Sequence, residues 1–322
     1  MKFSEYVLNK SHSYTYYKNK MTTLSNENKN LLNENKKLKT QLNESKKQLK
    51  EYYNQLAKLN ENYLNLINLI DNNFEEINSK FNSMNSEFNN KNNKNYLINK
   101  EIQYALIFND TIKDSNWVKS KNFSLNNGAA NYSFMYDLFR ILDEVKPENI
   151  LELGLGQTTK LTSQYANFFN DTKLTVIDGD ENWINNFSEN LIIGDNIKII
   201  LSELEKFTFR NTENLRYKNF NNIIKDEKFD LIVIDGPQGF FSPGFRMLDY
   251  SRSNVWDLIP DNIADNFVII IDDYERKGEK NTISIVKELL SENKIDYYTF
   301  NSIGLKEQYV IASEEYKFIS WY

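Results

Sequence analysis

The chain has 322 residues, 40% of them hydrophobic and 14% aromatic, which is enough for a sizeable core and favours two structural units. It contains no cysteine, which excludes disulfides, thiolate metal sites and cysteine nucleophiles and suits a reducing cytoplasm. No apolar run approaches the roughly 20 residues of a membrane span, and the first residues do not resemble a secretory signal. We therefore expect a soluble, cytoplasmic protein.

Charge is divided unevenly along the chain. Residues 1–100 hold 16 lysines and 10 acidic residues, a net charge of +6, whereas the remainder holds 23 basic and 35 acidic residues, a net charge of −12. The acidic C-terminal part argues against binding nucleic acid through its phosphates. The basic N-terminal part is typical of a solvated helix face, and it also allows weak attraction to an acidic partner or an anionic membrane surface.

Residues 24–88 carry the heptad spacing of a coiled coil, without proline or glycine. Asn28 and Asn35 fall in one of the two series, where a buried amide fixes register and favours two strands. Between Tyr63 and Ile67 the spacing changes by a four-residue step, a stutter that locally unwinds a supercoil. The two series are Leu24, Leu31, Leu38, Tyr52, Leu59 and Leu66, and Leu42, Leu49, Leu56, Tyr63 and Ile70.

Two interpretations of this pattern stay open: a homodimer through the coiled coil, or one long helix packed on its own globular domain. The polar stretch NNKNNKN at 89–95 is the expected linker. A helical lead-in follows, in which Phe134, Leu138, Ile141, Leu142 and Val145 share one helix face before Pro147. The predicted division is an N-terminal segment (1–22), a coiled coil with its linker (23–95), the lead-in (96–148) and a C-terminal domain (149–322).

From residue 149 onward, short β-rich runs alternate with helical stretches, which predicts a doubly wound, Rossmann-like α/β domain. The first five runs are nearly continuous in Ile, Val and Leu, as expected of parallel strands covered on both faces. The last two are close in sequence and are expected to pair as an antiparallel hairpin at the sheet edge. The seven candidate strands are NILELG, KLTVID, NIKIIL, FDLIVID, FVIIIDD, DYYTFNS and EQYVIAS.

Gly154 and Gly156 stand where the first strand turns into a helix. Glycine suits such a turn because a cofactor must approach the backbone closely and the turn can need a positive φ. The third glycine of a dinucleotide fingerprint is missing, so a purely structural turn is the alternative. The second strand ends at Asp178, an acid placed to bind ribose hydroxyls, with Asp180 as a second candidate and a helix cap as the alternative for either.

Further acids end the fourth and fifth strands. Asp235 follows one, and Asp272 and Asp273 follow the other, so the three are expected to converge in one cleft. They can hold a divalent cation such as magnesium, or Asp235 or Asp272 can act directly as a general base. Capping and ion pairing with arginines is the structural alternative. The lone histidine, His12, lies far from this cleft in sequence, and no serine stands in a hydrolase elbow.

Four segments, ILELGLGQTT, VIDGDENW, FDLIVIDGPQG and VIIIDDYER, together resemble the class I S-adenosylmethionine (SAM)-dependent methyltransferases over about residues 130–322. The resemblance implies SAM as the cofactor and a seven-stranded sheet of the methyltransferase type. The cofactor contacts that it implies are Glu152, Gly154, Gly156, Asp178, Asp180 and Asp235.

A narrower resemblance is to polysaccharide O-methyltransferases of the glucuronoxylan type, carried by GLG, DENW, DGPQGFFSPGFRM and DDYERKGE. It implies O-methylation of a sugar hydroxyl in a surface polysaccharide or glycan precursor. Asp235, Asp272 and Arg246 are the catalytic candidates, although Asp272 replaces a histidine and Phe245 a glycine of that pattern. The paired aspartates also resemble those of metal-dependent sugar O-methyltransferases, which implies a metal at Asp235, Asp272 and Asp273.

Two other interpretations compete with the methyltransferase. A dinucleotide-dependent oxidoreductase is disfavoured by the missing third glycine and by the terminal hairpin. A non-catalytic scaffold, in which a methyltransferase fold serves a coiled-coil assembly, is disfavoured by the acids at three strand ends.

Overall fold

The computed structural model describes residues 2–125, 129–242 and 244–321, with side chains from residue 10 onward. The chain divides into two compact units, one ending at Phe88 and the other beginning at Asn89. Helix α1 (Lys2–Thr111) contributes to both. None of the helices in the described ranges combines the length and the apolar character needed to cross a membrane.

The predicted linker at 89–95 begins where the second unit begins, and its residues continue helix α1. Asparagine has modest helix propensity, but lysine is a good helix former, and the stretch has no proline or glycine to interrupt the backbone hydrogen bonds. The heptad side chains of the first unit are exposed; Leu31, Leu38 and Leu59 are 56%, 58% and 65% exposed. Formation of a coiled coil with a second chain stays a prediction.

The second unit contains a seven-stranded sheet and two separate hairpins. The strands are β1 (Asn149–Leu153), β2 (Lys173–Asp178), β3 (Ile197–Leu201), β4 (Leu204–Phe209), β5 (Thr212–Tyr217), β6 (Phe229–Ile234), β7 (Phe240–Phe241), β8 (Arg246–Met247), β9 (Ile263–Ile271), β10 (Tyr298–Ile303) and β11 (Glu307–Ala312). The sheet order is β10-β11-β9-β6-β1-β2-β3. Strands β3, β2, β1, β6 and β9 are parallel, and β11 is antiparallel to both β9 and β10.

All seven predicted strands are present, and the terminal pair forms the expected antiparallel hairpin. The fold is therefore the predicted α/β, Rossmann-like seven-stranded sheet. Hairpins β4–β5 and β7–β8 were not predicted. Their strands are short, and the sequence of β4, LEKFTF, carries only three apolar residues beside charged ones.

Helices cover both faces of the sheet, which gives two hydrophobic cores. Asn131 caps α2 (Tyr132–Val145), and four of the five residues of its predicted apolar face, Phe134, Leu138, Ile141 and Leu142, are each 0% exposed. The remaining helices are α3 (Gln157–Phe168), α4 (Glu181–Ser188), α5 (Phe220–Ile223) and α6 (Lys277–Glu292), with 3₁₀ helices at Ser253–Leu258 and Glu314–Trp321.

Candidate active site at the carboxyl ends of the strands

The predicted acids lie at one edge of the sheet because their strands are parallel neighbours. β1 pairs with β2 on one side and with β6 on the other, with Leu153 opposite both Ile177 and Ile234. Asp178, the last residue of β2, and Asp235, the residue after β6, therefore lie on either side of Gly154, which follows β1. β9 extends the same edge, and Asp272 directly follows the pairing of Ile234 with Ile271. Parallel strands thus gather these residues at the edge where ligands bind in such sheets.

Gly154 is required by its conformation and by its neighbour. Its φ is +99°, and a Cβ there would lie 2.7 Å from the backbone nitrogen of Gly236. Gly236 is equally confined, since its own Cβ would meet the hydroxyl of Tyr217 at 2.7 Å. The backbone turns after β1 and β6 are therefore in direct contact, which only glycine allows.

Gly156 has a different environment. Its φ of −169° is ordinary extended backbone, and a Cβ there would meet nothing within 4 Å. The turn is consequently open on this side, next to the first residues of α3. Room of this kind beside a helix N-terminus suits a ligand that approaches the backbone closely.

Glu152 lies beneath the turn. It is 0% exposed, and its carboxylate accepts hydrogen bonds from the hydroxyls of Thr158, Thr159 and Thr162 at 2.6–2.8 Å. Burial raises its pKa to about 7, despite these three donors. Glu152 thus connects β1 to α3 through these hydrogen bonds. Its predicted contact with a cofactor stays a prediction, and the threonines that replace the third glycine are its partners.

Asp178 connects the turns after β1 and β2. Its Oδ2 accepts from the backbone nitrogen of Leu155 at 2.8 Å, and its Oδ1 accepts from that of Asp180 at 2.9 Å. Burial raises its pKa, and these backbone donors oppose the rise. Asp180 instead caps α4, since its Oδ1 accepts from the backbone nitrogen of Trp183 at 3.0 Å. That is the structural alternative for Asp180.

Trp183, from the DENW segment, closes one side of the turn. Its indole nitrogen donates to the carbonyl oxygen of Leu155 at 2.7 Å, and its ring lies 5.2 Å from that of Phe187. The side chain is 45% exposed, so part of its ring faces solvent beside the turn. The turn is thus framed by an aromatic surface and by the carboxylate of Asp178.

The three aspartates at the ends of β6 and β9 form one cluster. Ligand atoms of Asp235, Asp272 and Asp273 all lie within 4.8 Å of one another. The side chain of Asp235 is 14% exposed, whereas Asp272 is completely buried. Burial and the nearby Asp272 raise the pKa of Asp235 well above its usual range. A carboxyl of raised pKa at the cleft is suited to exchange a proton with a substrate.

Basic side chains reach into this aspartate cluster, among them Arg252, one of the arginines expected as ion-pair partners, and Lys306, which the sequence did not single out. Lys306 Nζ lies 2.7 Å from Asp272 Oδ2 and 3.2 Å from Asp273 Oδ1. Arg252, which is 2% exposed, contacts Asp273 and lies 3.5 Å from Asp235 Oδ1. Burial alone would raise the pKa of Asp273, but Arg252 and Lys306 outweigh it and lower that pKa.

Arg246, the predicted catalytic arginine, stands on the β7–β8 hairpin. Its side chain is 65% exposed, pairs with Glu213 at 3.1 Å and lies 4.4 Å from the centre of the Phe241 ring. The arginine of the aspartate cluster is instead Arg252. The sequence offered two arginines after β6, and only the fold shows which one turns inward.

A cavity of about 500 Å³ lies elsewhere in the second unit. Its lining includes Trp117, Lys160, Gln164 and Ile192, and none of the predicted site residues. The open edge around Gly156 carries the predicted acids, so chemistry favours that edge over this cavity.

No protein-family model and no curated protein sequence matches the chain. Similar solved structures include the O-methyltransferase from Bacillus cereus in complex with SAH, with 13% identity over 67% of this chain and 90% of that chain and a TM-score of 0.42. The SAH-bound methyltransferase PaMTH1 of Podospora anserina has 14% identity over 67% and 88%, with a TM-score of 0.37. The O-methyltransferase TomG of Streptomyces achromogenes, in complex with SAM, has 11% identity over 55% and 77%, with a TM-score of 0.37.

At these identities and TM-scores the matches carry no argument about the activity of this chain. Its own strand order and register define the fold as an α/β, Rossmann-like seven-stranded sheet.

Proposed function

We propose that the chain is a SAM-dependent methyltransferase that transfers a methyl group to a hydroxyl oxygen. One observation supports this most strongly: Gly154 turns at the sheet edge between the strand ends that carry Asp178 and Asp235. The glycine turn gives a nucleoside cofactor access to the backbone. The two carboxylates stand at opposite sides of that turn, one suited to ribose and the other to the reacting groups.

Each part of the cofactor has a matching group in this arrangement. The carboxylate of Asp178 is held by Leu155 and Asp180, which leaves lone pairs for ribose hydroxyls. The open space beside Gly156 admits the methionine part next to the N-terminus of α3. Trp183 offers a half-exposed aromatic face beside the same turn.

The reaction requires alignment and removal of one proton. The acceptor oxygen attacks the methyl carbon in line with the carbon–sulfur bond, and the sulfur keeps that bond's electron pair, which yields S-adenosylhomocysteine (SAH). The hydroxyl proton passes to a base. Asp235 is the candidate base, because its side chain is partly exposed at the cleft and its raised pKa favours proton uptake.

A sugar is the acceptor that we propose, as part of a surface polysaccharide or glycan precursor. The β7–β8 hairpin carries exposed aromatic rings: Phe245 is 76% exposed, and its ring lies 5.0 Å from that of Phe240. Aromatic faces can stack on a sugar ring, and the neighbouring Arg246 can bind a uronate or phosphate through two hydrogen bonds. In this proposal Arg246 binds the acceptor.

A divalent cation such as magnesium at Asp235, Asp272 and Asp273 is a separate prediction. The three carboxylates do lie together. However, both oxygens of Asp272 already accept hydrogen bonds, Oδ1 from Gln308 at 2.8 Å and Oδ2 from Lys306 at 2.7 Å. The residues present do not fit a divalent ion unless Lys306 moves away, and no step above requires one.

Calorimetric titration of the full chain with SAH tests the proposal. We expect one SAH per chain, and Asp178→Ala should weaken binding about 10- to 100-fold, because hydrogen bonds from ribose to a charged group are lost. Asp235→Asn is the matched variant: it should abolish methyl transfer and leave SAH affinity within about twofold. If the wild-type chain binds no SAH at high micromolar concentration, the scaffold alternative is favoured instead.

A further inference from the structure

Lys306 lies in the turn between β10 and β11, and the surrounding structure fixes that turn. The backbone nitrogen of Gly304 donates to the carbonyl oxygen of Lys306 at 2.9 Å, which closes the turn. The nitrogen of Leu305 donates to Glu101 Oε2 at 3.0 Å. Glu101 and Ser133 occupy the space that a Gly304 side chain would need. The turn is thus held from two sides.

A hydrogen-bonded chain extends from the same region to the aspartate cluster. Glu101 accepts from the amide of Asn131 at 2.8 Å, and the amide nitrogen of Gln308 donates to Asn131 at 2.9 Å. That nitrogen also donates to Asp272 Oδ1 at 2.8 Å. These residues are buried, so the position of Lys306 and the orientation of Asp272 are set by one connected network.

The ammonium group occupies the space that a metal ion would need. Lys306 Nζ is within 3.2 Å of oxygens from both Asp272 and Asp273. An octahedral divalent ion bound to the same oxygens would lie about 2.1 Å from each, and the two cations cannot both be there. Arg252 and Arg276 also reach Asp273, the latter at 2.9 Å, so the three carboxylates already face three positive charges.

Besides Arg276, whose side chain is 31% exposed, the partly exposed members of this group are Lys306 and Asp235. Their side chains are 16% and 14% exposed, whereas Asp272 is 0% and Asp273 4% exposed. A hydroxyl that approaches Asp235 at this edge therefore meets an ammonium group beside the carboxylate. A metal ion in this position would supply the same thing, namely positive charge next to the acceptor oxygen.

We propose that the Lys306 ammonium is the resident cation of the aspartate cluster and takes the place of a divalent metal ion there. It donates a hydrogen bond to the acceptor oxygen, orients it towards Asp235 and stabilises the negative charge that develops as the proton leaves. Asp272 and Asp273 hold the ammonium in position. The catalytic part of this inference rests on the proposed methyltransferase function, whereas the exclusion of a metal does not.

Binding of Mn²⁺ tests the exclusion without any assay of activity. We expect no saturable Mn²⁺ binding to the wild-type chain at up to about 1 mM, measured by electron paramagnetic resonance. In Lys306→Met the three carboxylates lose their ammonium, so Mn²⁺ should bind at least tenfold more tightly than to wild type. Lys306→Arg, which keeps the positive charge, should behave like wild type. So should Lys277→Met, which removes an exposed lysine that also pairs with an aspartate.

Saturable Mn²⁺ binding to the wild-type chain, or equal affinities in wild type and Lys306→Met, would overturn the proposal. If Lys306→Met does not fold, the wild-type titration decides alone.

In the methyl-transfer assay, EDTA should leave the wild-type rate unchanged, and Lys306→Met should lower kcat at least 100-fold with SAH affinity unchanged. A wild-type rate that EDTA abolishes and Mg²⁺ restores would also contradict the proposal. Failure to bind SAH at all would instead count against the methyltransferase function.

Discussion

At the scale of single residues, the two glycines of the turn have separable roles. Gly154 has a φ of +99° and no space for a Cβ, so Gly154→Ala should lower the free energy of unfolding by about 2–4 kcal/mol. Gly156 has ordinary backbone and open space, so Gly156→Ala should cost less than about 1 kcal/mol. Urea unfolding of the two variants measures the difference.

In Gly156→Ala we expect a large loss of cofactor affinity and only a small loss of stability. Its new methyl group would enter the open space beside the turn, so SAH affinity should fall at least tenfold in a protein that is still folded. If Gly156→Ala binds SAH like wild type, that space is not part of the cofactor site. Equal stability losses in the two variants would contradict the close contact between Gly154 and Gly236.

At the scale of secondary-structure elements, Asp137 makes the packing of α2 against β10 depend on pH. The carboxyl is buried and accepts from the hydroxyl of Ser302, and burial raises its pKa from 3.8 to about 7. The unfolded chain releases this proton near pH 4 and the folded chain near pH 7, so stability falls as pH rises between these values and the loss persists above them.

Asp137→Asn should therefore stabilise the chain at pH 8 by on the order of 2 kcal/mol, because a neutral amide replaces a buried acid. The gain should shrink towards zero at about pH 3, below both pKa values, where the acid is largely protonated in both states. Urea unfolding at the two pH values checks this, with the exposed Asp171→Asn as control. A gain that is the same at both pH values would contradict the titration of Asp137.

Hydrophobic pattern was sufficient to predict the seven strands of the sheet. Continuous Ile and Val runs indicate strands buried on both faces, and the acids that follow them come together because parallel strands end at one edge. Lys306 could not be found in this way, since it stands in a turn and lies 34 residues beyond Asp272, after helix α6 and strand β10. Ion pairing of the aspartates with an arginine was expected, but only the fold shows that Arg252 is the buried one that contacts Asp273.

The environment of Glu152 could not be predicted from the sequence pattern either. A glutamate before a glycine turn is consistent with either cofactor binding or burial. The structure favours burial, because the hydroxyls of three threonines of α3 donate hydrogen bonds to the Glu152 carboxylate. The threonines in place of the missing glycine therefore indicate that Glu152 is buried. This inference requires knowing that the helix begins at Gln157, since only then do the threonines face Glu152.

At the scale of the whole molecule, we propose that the first unit joins two chains. Its heptad leucines are at least half exposed, and burial of such a stripe against a second copy is the usual basis of a coiled coil. Lysine in place of Leu31, Leu38 and Leu59 should convert a dimer into a monomer, as measured by light scattering. The matched control places lysine at the exposed Asn26, Asn33 and Asn54, outside both series. A wild-type monomer would contradict the proposal.

The central claim is that an adenosyl cofactor binds at the glycine turn between Asp178 and Asp235. A crystal structure of the full chain grown with SAH tests it most directly. We expect SAH beside Gly156, with a ribose hydroxyl within hydrogen-bond distance of Asp178 and the sulfur facing Asp235. SAH bound in the separate cavity beside Trp117 and Gln164, with the turn empty, would contradict it.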